Sequence, residues 1–220
     1  YAIRLVNLLQ LYGASPAQIE GGILGSVVPM LSGRVLAALQ LLCKARILTV
    51  GPGLKSGIKL RLDNPAQLGA ELLCGAVAAL EEGPGPLAVI SADTAISIMA
   101  VNGKQELVGG VILPGPQLSL SALVQKTAQL PQIDLSAPAS SSILGKNTSA
   151  CLQNGFVLGT AGLLDGLAER FQAELGPDIR FYATGNLPRT IREACRTPIE
   201  YREYLITDGL YRIWQKNRKG

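Results

Sequence analysis

The stretch LAVISADTAISIMAVNGKQELVGGVIL, Leu87 to Leu113, decides how the rest of the chain is read. It alternates short apolar runs with turn chemistry such as Asn102-Gly103. It therefore reads as three strands, Leu87 to Asp93, Ala95 to Val101 and Glu106 to Leu113, in an antiparallel meander. Downstream, a helix is expected from about Ser119 to Ala128, then a polar Ser/Ala/Pro-rich loop from Pro131 to Ser142. Thr148 opens a long helix to about Leu175, whose Gly155, Gly159, Ala161 and Gly162 would let another helix approach closely. Arg180 to Ala183 reads as a strand, Pro188 to Ala194 as a helix, Ile199 to Tyr201 as a strand and Thr207 to Asn217 as a last helix. The order from Leu87 onward is thus β-β-β-α-β-α-β-α.

Upstream, Glu81-Glu82-Gly83-Pro84-Gly85-Pro86 cannot continue a helix and is read as a linker, dividing the chain into 1–84 and 85–220. Before it, YAIRLVNLLQLYG is a helical stripe ended by Gly13, Gly22 to Val28 a short strand and Leu31 to Lys44 a helix. Arg46 to Val50 reads as a strand, GPGLKSGIKL as a glycine-rich loop, and Asp63-Asn64-Pro65 as the start of a helix running to Glu82. That order, α-β-α-β-α, is the tail of the order found downstream. The expectation is an α/β protein of the duplicated, actin-like ATPase (ribonuclease H-like) kind, with its first copy truncated at the N-terminal side. Such a first copy would leave an unpaired strand edge, to be covered by further chain or by a partner.

Composition narrows the chemistry. The 220 residues are 48% apolar and 16% charged, too much to bury for a disordered chain. There is no histidine, which removes Ser-His-Asp triads, Cys-His dyads and His-ligated zinc, and leaves carboxylates, Lys, Tyr and bound cations. Four cysteines, Cys43, Cys74, Cys151 and Cys195, form no CxxC pair and read as buried reduced thiols of a cytoplasmic protein. A net charge of +4 without basic blocks gives no reason to expect nucleic acid, and the cluster Lys216 to Lys219 reads as a frayed helix end. The apolar run near Leu72 to Leu80 is too short to span a bilayer, and Tyr1 does not open a signal peptide, so no membrane is expected.

Several stretches, in one order over nearly the whole chain, resemble the type III pantothenate kinases. They are SVVP at Ser26 to Pro29, GPGLKSGIKLRLDNPAQLGAE at Gly51 to Glu71, and GGVILPG at Gly109 to Gly115. Leu123, Thr127, Leu130 and Pro131, GKNT at Gly145 to Thr148, YATGN at Tyr182 to Asn186 and TDGLYRIWQKN at Thr207 to Asn217 continue the series. The resemblance implies ATP-dependent phosphorylation of pantothenate, the first step of coenzyme A synthesis. It also implies magnesium, a monovalent cation (potassium or ammonium), and a homodimer or heterodimer through the helix from Thr148 to Leu175.

Phosphoryl transfer needs positioned phosphates, screening cations and a carboxylate beside the attacking hydroxyl. The resemblance implies a first phosphate turn, Asp-x-Gly-Asn-Thr, that would precede Tyr1. The family's Gly-Ala-Asp-Arg element corresponds to Gly69, Ala70, Glu71 and Leu72. Gly69 and Ala70 are then substrate-binding and Glu71 the base, while Leu72 cannot offer the arginine's charge-assisted hydrogen bond. The second phosphate element, Asp-x-Gly-Thr-Ala-Thr-Thr, corresponds to Ser91-Ala92-Asp93-Thr94-Ala95-Ile96-Ser97. This makes Ser91 and Asp93 the metal positions and Thr94 a nucleotide contact. Asp93 either replaces the carboxylate lost at Ser91, from the same strand face, or sets negative charge where phosphate would sit.

The adenosine-side Ala-Thr-Gly-Gly element corresponds to Ala183-Thr184-Gly185-Asn186, making Gly185 and Asn186 cofactor-binding. Thr148 is implied as a substrate contact across the dimer interface, and by its own position it reads equally as an N-cap of the long helix. Three other candidates carry bland readings. Gly145-Lys146 fails as a P-loop because Ser140 stands where a glycine is required. Lys55 and Lys59 read as solvated loop lysines, and Asp165 as an interface or solvent residue. Two functions follow: a pantothenate kinase whose activity is weakened or lost, or a noncatalytic partner or regulatory homologue. A nucleic-acid role has only the net charge behind it.

Overall fold

A strand buried on both faces needs apolar side chains at successive positions, and the runs after Leu87 supply them. The computed structural model describes residues 1–139 and 142–218. The first half holds α1 (Ala2–Leu11), β1 (Gly22–Leu24), α2 (Pro29–Leu42), β2 (Ile47–Thr49), β3 (Lys59–Leu60) and α3 (Ala70–Glu81). There follow β4 (Leu87–Ala92), β5 (Ala95–Val101), β6 (Glu106–Pro114), α4 (Pro116–Gln125), α5 (Thr148–Leu175), β7 (Arg180–Gly185), α6 (Arg189–Ala194), β8 (Ile199–Tyr201) and α7 (Leu205–Asn217).

The main sheet has six strands in the order β3-β6-β5-β4-β7-β8. β4, β5 and β6 form the expected antiparallel meander, and β7 and β8 add in parallel on the far side of β4. Setting β3 aside, the meander with its two added parallel strands has the ribonuclease H-like order, with β4 central. One face carries Leu87, Val89, Met99, Val101 and Tyr182 against α3 and α7. The other carries Ala88, Ile90, Ile96, Ile98 and Phe181 against Val157, Ala161, Leu164 and Ala168 of α5. Each fully buried Leu, Ile or Val here contributes about 1.5–3 kcal/mol of transfer free energy. β1 and β2 make a separate parallel pair, Gly22 opposite Ile47, and among the described residues no third strand joins them.

Several expectations are corrected. The helix read from Asp63-Asn64-Pro65 starts at Ala70, because Pro65–Gln67 closes a separate 3-10 turn that ends in extended backbone at Leu68. The strand read over 22–28 stops at Leu24, where the Ser26 hydroxyl accepts the Val28 N–H and turns the chain into α2. The glycine-rich loop is not wholly loop: Lys59–Leu60 pairs with Glu106–Leu107 as β3. Both α4 and α5, each read as a helix from the sequence, lie between β6 and β7, so the order β-β-β-α-β-α-β-α, which counts them as one, is short by a helix. β7 runs two residues further than read, to Gly185. Ser140, on which the P-loop reading turned, and Lys219 of the basic cluster lie outside the described residues.

Candidate functional site

Two groups of candidate residues are built by different parts of the chain. The first surrounds a cavity of about 540 Å³ between the end of β1, the loop after β2 and the start of α3. Ser26 and Val27 form one wall, the backbone of residues 51–54 a second, and Gln67, Gly69 and Ala70 a third. The loop is held from outside by α7. Asn217 donates its Nδ2 to the Lys55 carbonyl and accepts the Lys55 N–H, both at 3.0 Å, and Lys216 Nζ donates to the Ser56 carbonyl at 3.2 Å. Gly69 and Ala70 thus lie on the cavity lining. Glu71 is exposed in the first turn of α3, a stabilising place for a carboxylate at a helix N-terminus. Leu72 is 7% exposed and packs inward in the core with Val77 and Val89.

The second group lies at the C-terminal end of β4. Ser91 is buried on the sheet face toward α3 and α7, flanked in register by Ser97 of β5 and Thr184 of β7, both also buried. This row of three hydroxyls was not foreseen as a unit, because its members come from three strands. Asp93 and Thr94 follow in the exposed turn to β5, where the Thr94 carbonyl accepts the Gly115 N–H at 2.9 Å.

Opposite stands the turn after β7. Gly185 has φ +82°, and a Cβ there would run into the Ala92 carbonyl, so only glycine lets the two strand ends close this tightly. Asn186 donates its backbone N–H to Ala92 O and its Nδ2 to Asp93 Oδ1, the latter at 2.9 Å. The two positions at which the resemblance sets glycine in separate motifs therefore hold each other. Behind them Tyr201 donates its hydroxyl to the Gly185 carbonyl at 2.8 Å, and the Arg192 guanidinium lies 4.0 Å over the Tyr201 ring.

Thr148 belongs to neither group: it is exposed at the first position of α5 and does not line the cavity. Its N-cap reading is overturned, since Asn147 is the cap and its side chain accepts the Ala150 N–H at 2.8 Å. Magnesium does not fit the residues at the β4 turn. Ser91 offers a hydroxyl where a carboxylate is wanted, and the Asp93 carboxylate is engaged by Asn186. Among the described residues no three Asp, Glu, Cys or His side chains gather as metal ligands.

Other expectations are settled nearby. Lys59 is not merely solvated, but pairs with Glu106 at 3.6 Å. Cys74 is buried and Cys195 half-buried; burial pushes their thiols up to about 12 and about 11, so both are un-ionised at neutral pH. Cys151 is exposed, contrary to the buried reading.

Asp165 is neither interface nor solvent residue. It is 3% exposed and accepts the Arg196 N–H at 3.0 Å and the Thr197 N–H at 2.9 Å, tying α5 to the turn before β8. Burial alone would raise its carboxyl pKa; the hydrogen bonds from the backbone and side chains of Arg196 and Thr197 together outweigh that and hold it below the usual value. A depressed carboxylate stabilises the fold above its unfolded pKa and loses that contribution as pH falls through the folded one. Asp165→Asn is expected to cost about 3 kcal/mol in urea unfolding at pH 7. The gap to the natural chain should begin to narrow as pH falls below about 4, the unfolded value, and go on narrowing towards the lower folded one; a gap unchanged at acid pH would refute this.

Comparison with known proteins agrees with the motif order. The family profile described as Type III pantothenate kinase matches residues 1–170. The chain belongs to the type III pantothenate kinase family. The type III pantothenate kinase of Dehalococcoides mccartyi is 37% identical over 99% of this chain and 82% of its own. That of Koribacter versatilis is 34% identical over 99% and 79%. A solved structure described as a conserved putative Baf family transcriptional activator from Campylobacter jejuni overlaps 79% of this chain and 83% of its own. Its identity is 19% and its TM-score 0.45, too low to carry an argument. The architecture is mixed α/β, and the six-stranded sheet, β3 set aside, has the ribonuclease H-like order. Among the described residues no helix is long and apolar enough to cross a membrane.

Proposed function

We propose that this type III pantothenate kinase homologue keeps the family's acceptor cavity but transfers phosphate from ATP to pantothenate weakly or not at all. The observation that carries this is the Asp93–Asn186 hydrogen bond, which fixes a carboxylate across the turn assigned to the ATP phosphates. A carboxylate there repels a polyphosphate and stands apart from Ser91, the family's cation position. Glu71 remains the candidate base, Gly69 and Ala70 the acceptor-side backbone, and Thr94 and Gly185 the nucleotide side. A noncatalytic partner role is the reading that follows if transfer is wholly lost.

The chain is organised in this reading as lobes 1–84 and 85–220, meeting at α3 and α7. It pairs with a second copy through α5, where a Cβ at Gly155, Gly159 or Gly162 would meet nothing within 4 Å. The test is ATP-dependent phosphorylation of pantothenate by the purified chain, with potassium and magnesium present. Turnover at the level of a no-enzyme blank is expected. Turnover well above it, abolished by Glu71→Ala, would overturn the reading, and a monomeric mass in sedimentation would remove its dimer.

A further inference from the structure

The cavity beside α3 is lined, among the described residues, by no charged side chain. Leu72, at the position of the family's arginine, is turned into the core and leaves no cation there. Cations do stand beside the loop that forms the second wall. Lys59 and Arg61 both pair with Glu106, and Lys216 Nζ donates to the Ser56 carbonyl. Lys55 remains. It lies between the lining residues Leu54 and Ser56, is exposed, and its ammonium has no hydrogen bond or ion pair among the described residues.

The backbone of Lys55, by contrast, is held twice. Asn217 accepts the Lys55 N–H and donates to the Lys55 carbonyl, both at 3.0 Å. The root of the side chain is therefore fixed beside the cavity, while its four-carbon stem is free to turn. These bonds use main-chain atoms alone, so all three ammonium donors are left for a ligand. A carboxylate in a largely apolar cavity is unfavourable unless a cation meets it. An ammonium at the rim meets it while staying partly in water, which lowers the desolvation cost.

Pantothenate carries its carboxylate at one end and its primary hydroxyl at the other. Glu71, the candidate base, follows Gly69 and Ala70 of the third wall as Lys55 follows Leu54 of the second. One side of the cavity thus attracts the carboxylate and another repels it. We propose that Lys55 binds the carboxylate of the acceptor, in place of the arginine that Leu72 replaces, and so turns the hydroxyl end toward Glu71. This rests on the cavity being the acceptor site, as proposed above.

The experiment is calorimetric titration of the full chain at pH 7 with pantothenate and with panthenol, in which a CH₂OH group replaces the carboxylate. Pantothenate is expected to bind about tenfold more tightly, the discrimination that one charge-assisted hydrogen bond gives. Lys55→Gln is expected to remove that preference, weakening pantothenate about tenfold and changing panthenol by less than about twofold. Lys55→Arg keeps the cation and should hold pantothenate within about threefold of the natural chain. Equal weakening of both compounds by Lys55→Gln shows a merely structural role and overturns the proposal. Equal binding of the two by the natural chain, or a preference that survives Lys55→Gln, overturns it too and leaves the cavity as acceptor site. Failure of the folded natural chain to bind either compound overturns both the proposal and the acceptor-site reading.

Discussion

Gly209→Val is expected to lower stability by at least about 3 kcal/mol, with a fall in melting temperature of roughly 10 °C for a chain of this size. Gly209 lies buried on α7 where it crosses α3, and a Cβ there would fall on the carbonyl of Cys74, far inside contact distance. The obstacle is helix backbone, so no rotamer change relieves it and the two helices must separate. Separation would loosen Leu205 and Ile213 from Cys74, Ala78 and Val89, the core on that face of the sheet. The control is Gly33→Ala in α2, where a Cβ meets nothing within 4 Å. It is expected to gain up to about 1 kcal/mol from helix propensity. Urea midpoints of the two variants measure this, and a Gly209→Val midpoint within error of the natural chain would sink the packing argument.

The second large effect concerns nucleotide. With Asp93→Gly and Asn186→Gly combined, ATP is expected to bind about ten- to a hundredfold more tightly than to the natural chain. The estimate comes from Coulomb's law for unit charges about 5 Å apart at effective dielectric constants of about 25 to 50. Asn186→Gly alone frees the Asp93 carboxylate without removing its charge, so it should change the affinity by less than about threefold. The order of the variants is the informative readout. Unchanged ATP affinity in the double variant would show that the carboxylate at this turn is not what limits the grip, and the proposed loss of transfer would need another cause.

How far the sequence could be read depended on how local each feature is. Ala95–Val101, Thr148–Leu175 and Ile199–Tyr201 have the limits read from pattern alone, because apolar runs and caps within each segment determine them. β3 was invisible: two residues, Lys59 and Leu60, are too few for alternation, and the strand exists only because β6 lies alongside. The proline signal at Pro65 was genuine but marked a 3-10 turn, and α3 begins after it. At the candidate site, the motifs named Asp93 and Asn186 separately. Nothing local could show that residues 93 positions apart share a hydrogen bond, since that depends on the register of β4 with β7. Asp165 was misjudged for the same reason, its donors standing 31 and 32 residues further on.

The packing of α3 on α7 has a consequence during synthesis. α3 carries an almost wholly apolar surface, and the helix that covers it emerges from the ribosome roughly 120 residues later, on the order of ten seconds at usual translation speeds. Through that interval the side of α3 that later receives Gly209, at Cys74, is left without its partner helix. A chaperone that shields such surfaces, or faster synthesis of the stretch between the two helices, would raise the yield of folded protein.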